Sequence, residues 1–430
     1  MNYRKRLIES RVLYAAKHFP VILITGARQV GKTTLLRHLF EGHYPFYTFD
    51  PVSDIHHVRE NPDLFLNQIQ GPAIFDEVQY VPELLNSIKR TVDTAQKPGH
   101  FFLTGSQNFS LLKSISESLA GRVFILHLHP ITFGERAGAP ASSWLEAILD
   151  SNTNNYSETL SGFKSLSEGR FLFDTLWRGG MPGAIDIPAD LLQDYFRSYV
   201  QTYIERDVRQ LADIRELQNF NRFFALCAAL TAQEINHSQI GRDIGVTPQT
   251  AYRWMELLAG TFQWTQIPAF SRNPVKKLSG KAKGYISDTG LACMLQFLST
   301  PRAIEVNPLR GRLFETAMIN DIIGQISALS AKPNLYHWRT HGGAEVDFLC
   351  ERDGKVWLFE MKSSQSISTS HTRGFRAFKE TYPDIPVAGE FILAPVDGVQ
   401  KISETAWILP YDLAKSPGNR QSIPESDIER

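Results

Sequence analysis

The first 130 residues alternate between short apolar runs and segments that place apolar side chains at helical spacing. The runs are rich in Val, Ile, Leu and Phe, which is typical of buried strands, and they are residues 21–24, 73–75 and 101–103. Helical spacing follows at residues 34–40 and 82–95. Strands separated by helices predict a parallel sheet, so the fold class expected for residues 1–138 is α/β.

The pattern changes after residue 138. Residues 139–215 begin with a stretch rich in Ser, Asn, Thr and Gly, which predicts a linker or a surface insertion, and end in a helix from about 189 to 211. Residues 216–300 predict a winged helix-turn-helix, and residues 301–413 predict a C-terminal α/β domain with a hairpin of two apolar strands. Residues 414–430 are expected to form a flexible tail.

Turn and capping residues support the helix-turn-helix. Gly245 supplies the turn, Thr247 caps the second helix, and Pro248 takes its first position, where no N–H is needed. Winged helices also serve as dimerisation modules or rigid spacers, so the pattern leaves DNA contact open. In a unit that reads DNA, the side chains expected to face the major groove are Gln249, Thr250 and Arg253.

Between the first strand and the helix that follows lies a glycine-rich turn ending in Lys32 and Thr33. Such a turn directs backbone N–H groups at phosphate oxygens, and the helix start adds partial positive charge. Lys32 would reach the β- and γ-phosphates, while the Thr33 hydroxyl would ligate Mg²⁺. The expected nucleotide-binding residues here are Gly26, Ala27, Arg28, Gln29, Val30, Gly31, Lys32, Thr33 and Thr34.

Hydrolysis requires acidic groups that hold the metal and polarise water, and the strand at 73–75 leads directly into two carboxylates. Asp76 would hold the Mg²⁺ through water, and Glu77 would polarise the attacking water. The next strand ends in Thr104 and Ser106, either of which would sense the γ-phosphate, with Ser106 counted among the nucleotide-binding residues. A turn-forming Thr-Gly-Ser sequence explains these two hydroxyls almost as well.

Arg122 is the candidate for an arginine that stabilises transition-state charge, from its own subunit or from a neighbour. The alternative is a surface arginine near the end of a helix. A role in a neighbouring subunit would imply a homo-oligomer. No Asn-Lys-x-Asp element for guanine recognition occurs in the chain, so ATP is the expected nucleotide, with Mg²⁺ as cofactor.

A second candidate site is predicted within residues 301–413. Glu315 lies on an otherwise apolar helix, Asp347 lies in the first strand of the hairpin, and Glu360 and Lys362 share one face of the second strand. The three carboxylates would hold one or two Mg²⁺ ions, chiefly through Asp347 and Glu360, while Lys362 would orient water or stabilise developing charge. This is the logic of metal-assisted phosphodiester cleavage. The alternative is that these ionisable residues are structural remnants.

The motifs Gly-Ala-Arg-Gln-Val-Gly-Lys-Thr-Thr, Asp-Glu-Val-Gln, Leu-Thr-Gly-Ser-Gln and Leu-Ala-Gly-Arg, followed by Pro130 and Glu135, resemble the prokaryotic AAA-type ATPases that carry a C-terminal DUF4143 domain. The resemblance covers nearly the whole chain and implies a three-layer α/β ATPase core. The three C-terminal carboxylates and their lysine resemble the PD-(D/E)xK nuclease fold, with all four signature positions filled. That resemblance implies a restriction-endonuclease-like domain.

The helix predicted over residues 189–211 contains Tyr203-Ile-Glu-Arg-Asp-Val, which recurs in the resembled family. Alternating charges on a helix usually mark a solvated face. The alternative is that Arg206 or Arg209 reaches back to the nucleotide or to a neighbouring subunit.

Charge balance limits the case for a nucleic-acid partner. The chain has 45 basic and 45 acidic residues, whereas DNA-binding domains are usually basic as a whole. The loop between the predicted wing strands nevertheless gathers cations suited to phosphate contacts, namely Arg272, Lys276, Lys277, Lys281 and Lys283. DNA therefore stays an expected partner, but only through local clusters of basic residues.

Several cell-biological features follow from composition. No run approaches the roughly 18–20 apolar residues of a membrane span, and the N-terminus lacks the apolar core of a signal peptide. Cys227, Cys293 and Cys350 show no metal-binding spacing and predict no disulfide framework. A cytoplasmic location without membrane attachment is the expectation.

Two functional hypotheses follow. In the first, ATP hydrolysis drives action on DNA, with junctions or broken ends as candidate substrates and the C-terminal domain cutting or gripping the strand. In the second, the protein is a nucleotide-gated regulatory or defence switch whose C-terminal domain only binds. Metal-dependent cleavage that is lost in Asp347→Ala or Lys362→Ala protein would separate the two hypotheses.

Overall fold

The computed structural model describes residues 3–49, 55–69, 71–106, 115, 117–139, 142–151, 155–167, 171–209, 217–273 and 280–415, without the side chains of Glu205 and Arg206. Three sequence predictions lie outside these residues: the phosphate contacts of Lys276 and Lys277, the reach of Arg206 back to the nucleotide, and the tail beyond residue 415. Among the described residues, no helix combines the length and apolar character needed to cross a bilayer.

The N-terminal part contains a five-stranded sheet in which every paired strand is parallel, as the alternating pattern predicts. Its order is β2-β3-β4-β1-β5, and the strands are β1 (Val21–Thr25), β2 (Phe46–Thr48), β3 (Ala73–Asp76), β4 (Phe101–Gly105) and β5 (Val123–His127). Because the strands run the same way, residues that follow β1, β3 and β4 meet at one edge of the sheet. This edge is where ligands bind in open α/β sheets.

Helices cover both faces of this sheet, namely α1 (Glu9–Ala16), α2 (Lys32–Phe40), α3 (His56–Glu60), α4 (Pro62–Gln68) and α5 (Leu84–Ala95). A short helix, α6 (Phe133–Arg136), follows β5. Val21 and Leu23 of β1 enter one apolar core with residues of α4 and α5, whereas Ile22 and Ile24 enter another with α1 and α2. Burial on both faces explains why the strand sequences are continuously apolar.

The segment predicted as a linker or a surface insertion is partly folded, so the linker alternative was wrong for its described middle. It contains α7 (Trp144–Asp150), α8 (Tyr156–Thr159) and β6 (Phe163–Ser165). Trp144, Leu145, Ile148 and Leu149 are buried, because they form one apolar stripe at helical spacing. β6 pairs with β16 (Leu413–Lys415), so residues 414 and 415 belong to a strand and not to the predicted tail.

The chain then forms α9 (Leu172–Arg178), α10 (Pro182–Ile185) and α11 (Leu192–Tyr203). The last of these continues as a π-helical turn over Ile204–Val208. π-helical turns are uncommon and frequently lie at functional sites. This turn lies beside the glycine-rich turn of the first domain.

Residues 217–286, called here the winged unit, contain α12 (Leu217–Ala229), β7 (Gln233–Glu234), α13 (His237–Ile244), α14 (Pro248–Gly260), β8 (Trp264–Ile267) and β9 (Lys283–Ile286). The strands form an antiparallel sheet in the order β7-β9-β8. The predicted caps are confirmed: Gly245 has a φ of 83°, and Thr247 Oγ1 accepts from the Thr250 N–H at 3.1 Å, with Pro248 at the first helical position.

The C-terminal part is a six-stranded mixed sheet, β10-β11-β12-β13-β15-β14. Its strands are β10 (Asn334–Arg339), β11 (Glu345–Arg352), β12 (Lys355–Met361), β13 (Val387–Ala394), β14 (Gln400–Lys401) and β15 (Ala406–Pro410), and its helices are α15 (Thr289–Leu295), α16 (Pro301–Glu305), α17 (Arg310–Ala328) and α18 (Arg373–Thr381). The β11–β12 hairpin confirms the predicted one. Long α17 packs on one face of the sheet and α18 on the other.

One apolar core runs through the last three parts of the chain. It joins Trp144 of α7, Cys227 of α12, Leu258 of α14, Phe314 of α17 and Phe359 of β12. The three cysteines are free and buried, and all three lie within helices or strands of this core. Residues of the winged unit and of the C-terminal sheet pack together in this core, so the two parts are held in a fixed mutual position.

Candidate functional site

The glycine-rich turn lies between β1 and α2, as the sequence predicts. Gly26 has a φ of 151° and Gly31 a φ of 95°, and a Cβ on Gly26 would lie 2.2 Å from the carbonyl oxygen of Leu128. Lys32 is 5% exposed, and its Nζ donates to the carbonyl oxygens of Gly26 and Ala27 at 2.9 Å each. The ammonium therefore lies inside the turn, where a phosphate-binding lysine is needed.

Burial affects the charge of this lysine. It lowers the pKa of Lys32 to about 8, against the opposing influence of the Glu77 carboxylate. A lysine with this pKa is protonated at neutral pH and loses its proton under mildly basic conditions.

Two elements bring hydroxyl groups to Asp76 at the end of β3. Thr33 Oγ1 donates to Asp76 Oδ1 at 2.9 Å, and Thr104 Oγ1 donates to the same oxygen at 2.5 Å. Burial raises the pKa of Asp76, while the hydrogen bonds from Thr104 and Thr33 oppose that shift. The structure thus brings together the carboxylate and hydroxyl that the sequence predicts as Mg²⁺ ligands, and Thr104 contacts Asp76.

Glu77 follows β3 in a left-handed conformation, with a φ of 58°, which is costly for a residue other than glycine. Its N–H donates to Thr104 Oγ1 at 3.0 Å. Its carboxylate accepts from Ser106 Oγ at 3.2 Å and from the Gln79 side-chain amide. Gln79 was missed by the sequence analysis, although its position two residues after Glu77 was a local signal. Glu77 is therefore held by two polar side chains beside Asp76.

The glycine-rich turn is also tied to the segment that follows α11. Arg28 donates to Asp207 through Nε and Nη2, both at 2.5 Å, and to the Tyr80 hydroxyl at 3.2 Å. The Asp207 side chain is only 2% exposed. The adjacent Gln29 accepts from the Tyr195 hydroxyl at 2.7 Å. Sequence analysis considered the neighbouring arginines of this segment and missed Asp207, because 179 residues separate it from Arg28.

A pocket of about 170 Å³ opens beside the start of α2 and is lined by Tyr3, Arg4, Arg6, Gly31, Thr34, Ile131 and Pro182. Arg6 is 4% exposed and donates to the carbonyl oxygens of Val30 at 2.9 Å and His129 at 2.6 Å. Tyr3 stacks on His38, with ring centroids 3.7 Å apart. The N-terminal segment therefore forms one wall of a cavity adjoining the glycine-rich turn.

Arg122 lies away from this site. It precedes β5, its carbonyl oxygen accepts from the N–H of Val21 at the start of β1, and its side chain pairs with Asp93. The glycine-rich turn follows the other end of β1. Contact between Arg122 and the nucleotide site of the same chain is therefore excluded in this arrangement, because the sheet separates the two. A role in a neighbouring subunit stays a prediction.

The four C-terminal residues predicted as a second site do come together, and Glu345, which was not predicted, joins them. The group is called here the carboxylate cluster: Glu315, Glu345, Asp347, Glu360 and Lys362. Asp347 Oδ2 accepts from the Met361 N–H at 2.9 Å, and Lys362 Nζ donates to Glu360 Oε1 at 2.5 Å. Burial and the neighbouring Asp347 raise the pKa of Glu315 to about 7 and that of Glu360 to about 8.

A residue that the sequence analysis placed in the loop of phosphate-binding cations lies among these carboxylates. Lys283 Nζ is 2.7 Å from Glu315 Oε1, 2.9 Å from Glu345 Oε1 and 3.7 Å from Asp347 Oδ1. The Tyr285 hydroxyl also donates to Glu315 Oε1, at 2.7 Å. Burial lowers the pKa of Lys283, but the carboxylates outweigh this and raise it. The predicted phosphate contact of Lys283 is therefore wrong for this arrangement.

The same cluster was predicted to hold Mg²⁺ through Asp347 and Glu360. Across the described ranges, no group of three or more His, Cys, Asp or Glu side chains is arranged to hold a metal ion. The Lys283 ammonium lies 3.7 Å from Asp347 Oδ1, and the Lys362 ammonium pairs with Glu360. The residues as arranged do not fit a second metal.

The winged unit presents part of α14 to solvent. Gln249, Tyr252 and Arg253 are exposed, while Thr250 is half-buried and its hydroxyl lies 2.9 Å from that of the capping threonine. Of the described cations in the wing loop, Arg272 pairs with Asp384 and Lys281 is exposed. The N-terminal half of α14 is therefore accessible to a partner.

Three family models match separate parts of the chain. They are an AAA domain over residues 18–137, a domain of unknown function (DUF8612) over residues 170–302, and a domain of unknown function (DUF4143) over residues 310–414. Two uncharacterized proteins, from Mycobacterium tuberculosis and Mycobacterium bovis, are each 28% identical over 422 residues, which covers 97% of this chain and 86% of theirs.

Two solved structures with similar folds have lower sequence identity to this chain. The Walker-type ATPase of Pyrococcus abyssi aligns with a TM-score of 0.41 and 17% identity, covering 68% of this chain and 96% of its own. The Holliday junction branch migration motor RuvB of Thermotoga maritima aligns with a TM-score of 0.29 and 17% identity, covering 63% and 92%. These scores are too low to carry a functional argument.

The AAA match coincides with the parallel sheet and its glycine-rich turn, and the DUF4143 match coincides with α17 and the mixed sheet. A P-loop of this kind implies nucleotide binding. The chain therefore contains an AAA-type P-loop domain over residues 18–137 and a DUF4143 domain over residues 310–414.

Proposed function

We propose that the protein binds ATP at residues 26–34 and hydrolyses it with Mg²⁺. The observation that carries this proposal is the hydrogen bond of 2.9 Å between Thr33 Oγ1 and Asp76 Oδ1. This contact holds two side-chain oxygens from separate elements side by side at the carboxyl edge of the sheet. Hard oxygen donors of this kind suit Mg²⁺, which is usually held by one or two protein groups together with the substrate's phosphates.

The surrounding residues supply the rest of the chemistry. Bound Mg²⁺ would neutralise charge that develops on the β- and γ-phosphates. Lys32 would place a positive charge on the same phosphates from inside the turn. Glu77 would accept a hydrogen bond from the attacking water, with Ser106 and Gln79 fixing the carboxylate that they contact in the structure.

The pocket beside α2 is the proposed position of the nucleoside. It adjoins Gly31 and Thr34, which belong to the phosphate-binding segment, so a base there would be continuous with the phosphates. Its walls combine the aromatic ring of Tyr3 with the apolar side chains of Ile131 and Pro182, as small-molecule sites usually do.

We expect purified protein to release phosphate from ATP only when Mg²⁺ is present. Thr33→Ala, which removes one metal ligand, should lower turnover at least about tenfold, in line with the loss of one charge-stabilising contact. Thr94→Ala is the matched control, since Thr94 lies exposed on α5 and donates only to a backbone oxygen. Turnover that survives EDTA, or that Thr33→Ala leaves unchanged, would contradict the proposal.

ATP affinity should depend on pH through Lys32. Its pKa of about 8 means that the ammonium is present below pH 8 and is lost as the pH rises through that value. Affinity measured with a fluorescent ATP analogue should therefore be constant from pH 6.5 to 7.5 and fall by up to about tenfold per pH unit above 8. Lys32→Arg protein, whose guanidinium stays charged, should show no such fall. Parallel curves for the two proteins would exclude Lys32 as the cause.

Contact with DNA is a second candidate function, favoured by the exposed half of α14. Gln249, Tyr252 and Arg253 face solvent at the N-terminal end of the second helix of a helix-turn-helix. Residues at that end are the ones that reach base edges when such a helix enters the major groove. The chain's zero net charge means that any such binding depends on a few local cations.

Fluorescence anisotropy with single-stranded, duplex and four-way-junction DNA tests this second function. Arg253→Ala should weaken binding by about 1–3 kcal/mol, the usual worth of a base-contacting arginine. Arg302→Ala, an exposed arginine on α16, should have no effect. If no DNA binds, or if none accelerates ATP turnover, the nucleotide-gated switch with a protein partner is the function that remains.

A further inference from the structure

We propose that Lys283 is a built-in cation of the carboxylate cluster, which excludes a divalent metal ion there and locks the winged unit against the C-terminal sheet. The proposal concerns the DUF4143 domain and is independent of ATP hydrolysis. The cluster is then an ionic contact between two parts of the chain, in place of the metal site predicted from the sequence.

The first argument is the position of the ammonium. Lys283 Nζ lies within hydrogen-bond distance of Glu315 on α17 and Glu345 on β11, and 3.7 Å from Asp347. Its side chain is only 6% exposed, so these carboxylates are its main partners in place of water. A buried ammonium is tolerated only when it is paired in this way.

The second argument is that the backbone holds Lys283 in this place. β9 is the central strand of the winged unit, and Lys283 pairs in register with Glu234 of β7 and Ile267 of β8. Two residues further along, on the same face of the strand, Tyr285 is fully buried and donates to the Glu315 carboxylate. Withdrawing the lysine would therefore require that this face of β9 separate from α17.

The third argument is competition for the same oxygens. A divalent ion such as Mg²⁺ binds carboxylate oxygens at about 2.0–2.1 Å and would need those of Asp347 and Glu315 to converge on it. The ammonium contacts or approaches oxygens of both residues. Two cations in one buried pocket repel strongly, so the ion and Lys283 exclude each other. Lys362 adds a further positive charge on Glu360.

The lock has a direct consequence for the cleavage hypothesis. Metal-assisted phosphodiester cleavage at Asp347 and Glu360 is incompatible with this arrangement, because Lys283 lies beside Asp347 and Lys362 pairs with Glu360. In this arrangement the carboxylates bind a part of their own chain.

Mn²⁺ binding to full-length, nucleotide-free protein tests the proposal, measured by the loss of the free-ion EPR signal. All proteins carry Asp76→Asn, so that the nucleotide site contributes nothing. The parent protein should bind no Mn²⁺ at millimolar concentrations. Lys283→Met should gain one site with a Kd at least tenfold below the highest Mn²⁺ concentration used, and adding Asp347→Asn should remove it. Lys281→Met, which alters an exposed lysine two residues away, should behave as the parent does.

Lys283→Gln provides a second variant that keeps a hydrogen-bond donor on β9 while removing the charge, and it should gain the same Mn²⁺ site. The melting temperature of Lys283→Met should fall by several degrees, and that of Lys281→Met should stay unchanged. Mn²⁺ binding by the parent that disappears on Asp347→Asn would overturn the proposal. So would the absence of any gain in both folded Lys283 variants.

Discussion

Glu77→Gln protein is expected to bind ATP as tightly as the wild type and to hydrolyse it about 10²–10⁴-fold more slowly, the usual contribution of a positioned general base. The substitution keeps the size of the side chain and an oxygen that can accept from Ser106 and Gln79, so the contacts that hold residue 77 remain. What it removes is the negative charge and the ability to take a proton from water. Single-turnover phosphate release and equilibrium ATP binding, measured side by side, separate the two effects.

Glu83→Gln is the matched control for this experiment. Glu83 is exposed just before α5, six residues from Glu77. Its neutralisation should leave the ATP affinity and the rate of hydrolysis unchanged. Loss of ATP binding in Glu77→Gln would mean that Glu77 supports the fold of the site. An unchanged rate would assign activation of the water to another group.

The second large effect is expected at the ion pair between the glycine-rich turn and the π-helical segment. Arg28→Met should destabilise the protein by about 3–5 kcal/mol, because it leaves the carboxylate of Asp207 buried without its partner. Asp207 is 2% exposed and receives both of its short hydrogen bonds from Arg28. Urea unfolding followed by tryptophan fluorescence measures the loss.

A second change should restore much of this stability. Adding Asp207→Asn to Arg28→Met removes the unpaired charge, and replacing both members of a buried pair is usually far less costly than replacing one. Arg197→Met is the control, since Arg197 and Asp194 form an ion pair on α11 in which both side chains are about two-thirds exposed. Its loss should cost at most about 1 kcal/mol. Equal losses for Arg28→Met and Arg197→Met would show that Asp207 is not desolvated in solution.

The parts of the ATPase site that the sequence predicted are those encoded by short contiguous stretches. The glycine-rich turn, Thr33 and the Asp76–Glu77 pair each follow an apolar run, and a parallel sheet brings the ends of such runs to one edge. β2 was not predicted, because three partly exposed residues leave no periodic signal. The prediction that Arg122 acts on the nucleotide of its own chain was wrong, because Arg122 lies at the opposite edge of the sheet. A short sequence motif does not indicate on which edge of the sheet its residues lie.

Residues missed by the sequence analysis act across long separations. Asp207 meets Arg28 across 179 residues, and Lys283 meets Glu345 across 62. A charged residue in a helix or a wing strand looks the same in sequence whether it faces water or a buried partner. The charge pattern around Lys283 indicated phosphate contacts, and only the packing of β9 against α17 reveals its carboxylate partners. The folded middle of the predicted linker was hidden for another reason, since Ser and Asn surround its apolar stripe.

The apolar core shared by the winged unit and the mixed sheet limits how this protein can be taken apart. The family models end and begin again between residues 302 and 310, yet Leu258 before that gap and Phe314 after it lie in one continuous core. Boundaries drawn by sequence similarity are therefore not boundaries between independently stable modules. For an engineer who wishes to graft the C-terminal part onto another ATPase, the smallest transferable piece begins before α7 and carries both families together.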